Sequence, residues 1–326
     1  MSTIPATLSP SAASGRSRAL LIEYSMPIAY ALLFAILAVT VDNFFSVANV
    51  VGLMLSVAQI GMVACTMMLC LASRDFDLSV GSTIAFSGVL GAMVLERTGS
   101  VTLAVGAGLG AGALIGAGNG VLIAYLRVNA LIATLATMLM VRGLAFIASK
   151  GQAVGINDEG FIAFGDARIA GLPLPILVAG ACFLVFGVLL NHTVFGRNTL
   201  AIGGNPEAAR LAGVKVEKLR VWIFLLQGLV VGLAGLILAS RITSGQPNAA
   251  QGFELDVISA CVLGGVSLQG GKARIFGVLI GVLIMGTVEN VMNLLDVDAF
   301  YQYLMRGVIL LAAVLLDQLK TRGERR

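Results

Sequence analysis

Ten apolar runs, each carrying few or no charges, divide most of this chain, at about 25–41, 50–72, 81–95, 101–126, 130–148, 174–190, 220–240, 256–268, 275–295 and 300–317. A helix needs roughly 20 apolar residues to cross the ~30 Å hydrocarbon layer of a bilayer. The pattern therefore implies an all-α, polytopic membrane protein of about ten transmembrane helices. The runs at 81–95 and 256–268 are too short to cross upright, which points to broken or tilted elements there. Composition agrees: 58% of the 326 residues are hydrophobic and 12% charged, against about 25% charged in soluble domains. The chain divides into an N-terminal tail at 1–24, a transmembrane unit at 25–318 and a C-terminal tail at 319–326.

Lys and Arg set the orientation. With the N-terminus inside and ten alternating crossings, 15 of the 21 basic residues fall on the inner side, as the positive-inside rule expects. Arg97, Lys150, Arg168 and Arg241 fall outside, and Arg142 and Arg306 lie within runs. The formal net charge of +4 is thus an inner-membrane topology signal, with both termini expected inside. It is not a nucleic-acid surface.

Two segments between runs are long. The outer one, about 149–172, carries Asp158, Glu159 and Asp166 and reads as a solvated loop or a docking surface. The inner one, about 191–219, holds the sequence GGNPEAARLAGV at 203–214. Asn205 can cap a short helix there, Pro206 suits its first position and Glu207 its positive end. Gly213 ends it. Helical spacing groups Glu207, Arg210 and Leu211, with Ala208 and Ala209 small enough for close contact.

No catalytic, metal or cofactor constellation is present. Cys65, Cys70, Cys182 and Cys261 sit in apolar runs without a CxxC pair, and His192 stands alone. The stretch LQGGKARI around Lys272 lacks the leading glycine and the Ser or Thr of a phosphate loop. Polar residues inside runs are the better clues, because each is expensive in hydrocarbon. Gln59, Asn119, Glu289, Asn290 and Asn293 are candidates for a path taken by a hydroxyl-rich solute, with Arg142, Gln227 and Arg306 also in runs. The competing role is interhelical hydrogen bonding, with Glu289 paired to Arg142 or Arg306. Gly106, Gly110, Gly116 and Gly120, and Gly108 and Gly112, give overlapping GxxxG patterns for close helix packing. An internal echo links FDLSV at 76–80 to FELDV at 253–257, GALIG at 112–116 to GVLIG at 277–281, and Arg142-Gly143 to Arg306-Gly307. An odd number of crossings separates the copies, so the second is inverted.

GGNPEAARLAGV resembles the cytoplasmic coupling segment of sugar-importing ABC permeases of the ribose/arabinose/galactose class. FGRNTLAIG at 195–203, DFDLSVGS at 75–82, NALIATLATM at 129–138 and LGGVSLQGG at 263–271 match further blocks of that class. MVRGLAFI at 140–147, GQAVGI at 151–156, ILASRITSGQP at 237–247 and TVENVMNLL at 287–295 are similar to its arabinose-type members. Arg74 and Phe76 depart from the Gly-Ile-Asp-Leu-Ser type of sequence common in the class. The resemblance implies a homodimeric permease, not itself an enzyme. It also implies a separate cytoplasmic ATPase, a periplasmic sugar-binding protein and L-arabinose as the sugar. It assigns ATPase coupling to Glu207, Ala208, Ala209, Arg210, Leu211 and Gly213. An ion-coupled secondary transporter is the alternative; it would call for membrane-embedded carboxylates, of which Glu289 is the one expected.

Overall fold

The computed structural model describes residues 26–324, and among these residues the chain forms thirteen helices and four two-residue strands. In order they are α1 (Met26–Thr40), α2 (Val47–Ala72), α3 (Val80–Thr98), α4 (Val101–Ala124), α5 (Ala130–Ser149), β1 (Val154–Gly155), α6 (Glu159–Asp166), β2 (Arg168–Ile169) and β3 (Leu172–Pro173). There follow α7 (Leu174–His192), α8 (Val194–Gly204), α9 (Pro206–Leu211), α10 (Val216–Arg241), β4 (Ser244–Gly245), α11 (Phe253–Leu263), α12 (Ile275–Leu294) and α13 (Ala299–Glu324). Each of the ten apolar runs is a helix. Six of them, α2, α4, α5, α7, α10 and α12, are long and apolar enough to cross a membrane by themselves. The tail at 1–24 lies outside the described residues, and α13 continues through the stretch expected as the C-terminal tail as far as Glu324.

α2 is the axis of the bundle. From Val57 to Ala72 every residue is buried, as befits a helix apolar on all sides. Its repeat partner α10 has the same 26-residue length. The contacts exchange between halves: α10 packs on α3 and α4, and α2 packs on α11 and α12. α3 touches α4 and α5 just as α11 touches α12 and α13. This exchange is what an inverted repeat requires.

The α4–α10 seam explains the glycines. Gly108, Gly112, Gly116 and Gly120 all face α10, and a Cβ at Gly112 or Gly116 would stand 2.3 Å from Gly228 O or 2.2 Å from Phe224 O. Gly106, Gly110 and Gly118 face open space. Of the overlapping patterns in the sequence, the packed register is therefore 108, 112, 116 and 120.

The two short runs are broken elements. At 1.5 Å per residue α11 is only about 16 Å long, half a bilayer core. β4 lies beside Val89 on α3, yet Ala250 lies against Gly81, more than two turns nearer the start of that helix. The segment after β4 therefore turns back into the bundle, and α11 starts inside it. Arg142 makes this possible: its Nη1 donates to the carbonyls of Pro247 (2.8 Å) and Ala249 (2.7 Å). Non-helical backbone survives at this depth only when protein supplies its hydrogen bonds. The stretch 75–79 does the same from the opposite end. Asp75 contacts Arg220, whereas Ile84 meets Gly235, about 22 Å further along α10.

The long segment at 149–172, expected on the outer side, is an ordered element. Asp158 caps α6, Phe161 is fully buried, and Ser240 Oγ of α10 accepts from Gly165 N at 2.7 Å. β1 pairs antiparallel with β4, so this segment and the end of α10 share one end of the molecule.

Candidate functional site: the α9 platform

α9 rests on a platform assembled from segments distant in sequence. Gly271 N donates to Ala72 O at 2.9 Å. A Cβ on Gly203 would fall 2.4 Å from Gly271 N, so α8 and the turn before α12 can meet the end of α2 only through glycine. The blocks at 75–82, 195–214 and 263–271 thereby converge at one end of the bundle.

The local chemistry expected for α9 is present. Asn205 Oδ1 accepts from Glu207 N (3.0 Å) and Ala208 N (3.1 Å), Pro206 takes the first helical position and Gly213 adopts φ +88°. The helix runs for 6 residues, Pro206–Leu211, little more than one and a half turns. Ala209 is buried against Ile202 and Val216, so it fastens α9 to the bundle rather than facing outward. Arg210 is tied to Glu217 at the start of α10. Glu207 and Ala208 are exposed, and Leu211 is 91% exposed. Sequence spacing grouped Arg210 with the outward face; the tether to Glu217 removes much of its freedom. α8 follows α7 directly and has little local signal in the sequence beyond Thr193, whose Oγ1 accepts from Gly196 N at its start.

Behind α9 lies a cavity of about 650 Å³ lined by Arg74, Asp75, Arg127, Glu207, Arg210 and Arg220, among others. Asp75 is buried, and Arg220 Nε stands 3.1 Å from its Oδ2 without aiming its N–H there, so the contact is one of charge. Asp77 Oδ1 accepts from Ser79 N (2.9 Å) and Oγ (2.6 Å). Asn119 then donates to Ser79 Oγ (3.0 Å) and accepts from Thr137 Oγ1 (2.7 Å). One hydrogen-bonded chain thus ties the re-entrant turn to α4 and α5.

The other path candidates divide. Gln59 is buried and donates to Ala234 O at 3.0 Å, across α2 and α10. Glu289 accepts from Arg306 at 3.1 Å, Asn290 exchanges hydrogen bonds with Asn49, and Asn293 accepts from Gln302 at 2.9 Å. Arg306 also reaches Asp256 at 3.3 Å. The expectation that Glu289 is the membrane-embedded carboxylate needs correction, because Asp256 is more deeply buried and Glu254 lies against Gly81. Both sit at the start of α11, which the sequence could not place inside the bundle. Their signal was the FELDV echo of FDLSV.

Residues 49–314 match the family described as "Branched-chain amino acid transport system / permease component". The chain is 57% identical to the L-arabinose transport system permease protein AraH of Escherichia coli (strain K12) over 303 residues, 93% of this chain and 92% of that protein. It is 51% identical to the L-arabinose ABC transporter permease protein AraH of Azospirillum brasilense, over 98% of this chain and 94% of the relative. It is 41% identical to the ribose import permease protein RbsC of Escherichia coli (strain K12), over 94% and 98%. No solved structure matches. With the family covering most of the chain and full-length relatives of this class, the chain belongs to the permease-component family, among the sugar ABC permeases of the ribose/arabinose class.

Proposed function

We propose that this chain is the membrane-spanning subunit of a binding-protein-dependent importer that brings L-arabinose into the cytoplasm by alternating access, driven by a separate ATPase seated on α9. The observation that carries the ATPase assignment is α9 itself. A capped helix, fastened by Ala209, holds a large apolar side chain, Leu211, at 91% exposure beside exposed Glu207. A chain that only needed a soluble connection gains nothing by presenting that leucine, whereas a cleft on a partner would cover it. The choice of pentose rests on the relatives named for L-arabinose.

The orientation puts α9, with the basic segments around it, in the cytoplasm and β1, α6 and β4 at the outer face, where a sugar-binding protein docks. Two copies of the chain enclose the path. Arg306 and Glu289 keep side-chain exposures of 23% and 29% on α13 and α12, which is costly against lipid. That face, with Asn290 and Asn293, lines the sugar's route. Gln59 and Asn119 act at its back by holding helices together.

The test is reconstitution of the permease with its ATPase and binding protein in vesicles. Uptake that requires ATP and sugar-loaded binding protein, with cysteine labels at 158 reactive from outside and at 207 unreactive, is the expected result. Uptake driven by an ion gradient without the ATPase would overturn the assignment.

A further inference from the structure

Beside the α9 platform, the end of α4 and the start of α10 enclose a second cavity of about 400 Å³, lined by Arg127, Lys215, Lys218, Glu217, Tyr125 and Ala124. Its wall carboxylate, Glu217, is bonded to Arg210 and also attracts Arg127, so the three cations of the wall outnumber the one carboxylate there. The cavity opens onto apolar surface. On the face of α4 turned away from α10, Leu114 and Val121 are exposed at helical spacing, with Gly118 between them leaving open space and exposed Tyr125 following at the helix end. On α10, Trp222 follows Lys218 by one turn and is 48% exposed. Its indole and the Tyr125 phenol suit the boundary between headgroups and hydrocarbon. Positive-inside bias accounts for basic residues at this end, but not for three of them meeting in a recess whose wall residue Tyr125 also belongs to the exposed apolar face of α4.

We propose that this recess binds the headgroup phosphate of an anionic phospholipid. Arg127, Lys215 and Lys218 contact the phosphate, and an acyl chain lies along the exposed face of α4. Charge complementarity selects the headgroup. The exposed apolar face of α4 distinguishes a lipid from free phosphate, which would gain nothing from Leu114 or Val121. The site is separate from the sugar path and from the outward face of α9, so the proposal stands or falls independently of the transport assignment.

The experiment is native mass spectrometry of the full-length permease, purified in mild detergent and titrated with phosphatidylglycerol, phosphatidylcholine or inorganic phosphate. The expected result is retention of phosphatidylglycerol over phosphatidylcholine. Lys215→Gln/Lys218→Gln should weaken that retention about thirtyfold, roughly fivefold per basic side chain removed. Leu114→Ser/Val121→Ser should weaken it while leaving any phosphate binding unchanged. The outer, distant Lys150→Gln serves as a control and should change nothing. If the double lysine variant does not fold, Lys218→Gln alone should still give about a fivefold loss. Equal retention of the two lipids, no loss in the lysine variants, or displacement of the lipid by millimolar phosphate would each overturn the proposal.

Discussion

The glycine seam between α4 and α10 permits a test in which one substitution has opposite outcomes on two faces of one helix. An alanine Cβ at Gly112 or Gly116 would meet backbone oxygens at 2.3 and 2.2 Å, where ordinary contact begins near 3.4 Å. Backbone cannot swing aside, so α4 and α10 must part by about 1 Å, a gap that forfeits a quarter to a half of each contact's dispersion energy. Overpacking of this kind costs about 1–3 kcal/mol, and the gain of about 1 kcal/mol from replacing helical glycine offsets only part of it. Gly106→Ala and Gly110→Ala keep that gain and meet nothing. Cys65, Cys70 and Cys261 are buried, so a thiol-reactive dye reports unfolding directly. The Gly112→Ala/Gly116→Ala variant should melt roughly 5 °C below wild type, and Gly106→Ala/Gly110→Ala at or above it. Equal losses from the two pairs would show that α4 does not meet α10 in this register.

Leu211→Asp should leave the melting point within about 1 °C of wild type, as for an exposed site, yet lose ATPase co-purification and uptake. Ala209→Glu buries a carboxylate between Ile202 and Val216, so it should lower both the melting point and uptake. Arg306→Gln leaves Glu289 and Asp256 unpaired and should cost about 3 kcal/mol. Glu289→Gln keeps the pair to Asp256, costs below about 1 kcal/mol, and should spare most uptake.

The sequence by itself determined the class of the fold and the place of ten of its helices, since apolar runs in a polar-poor chain have no alternative to membrane helices, whereas α6 and α8 carry no such run. It also determined α9, whose Asn205 cap, Pro206 start and Gly213 exit are local chemistry that neighbours need not approve. Only the tertiary structure decided which glycines pack, because Gly106 and Gly112 offer α10 the same small surface and the partner's own glycines choose between them. It decided that Arg306 pairs with Glu289 while Arg142 holds the carbonyls of Pro247 and Ala249. Two arginines in similar motifs were indistinguishable until the backbone before α11 needed donors. It turned Ala209 inward and left Leu211 out. Local spacing says which residues share a face; which face is covered depends on what the rest of the chain brings to it.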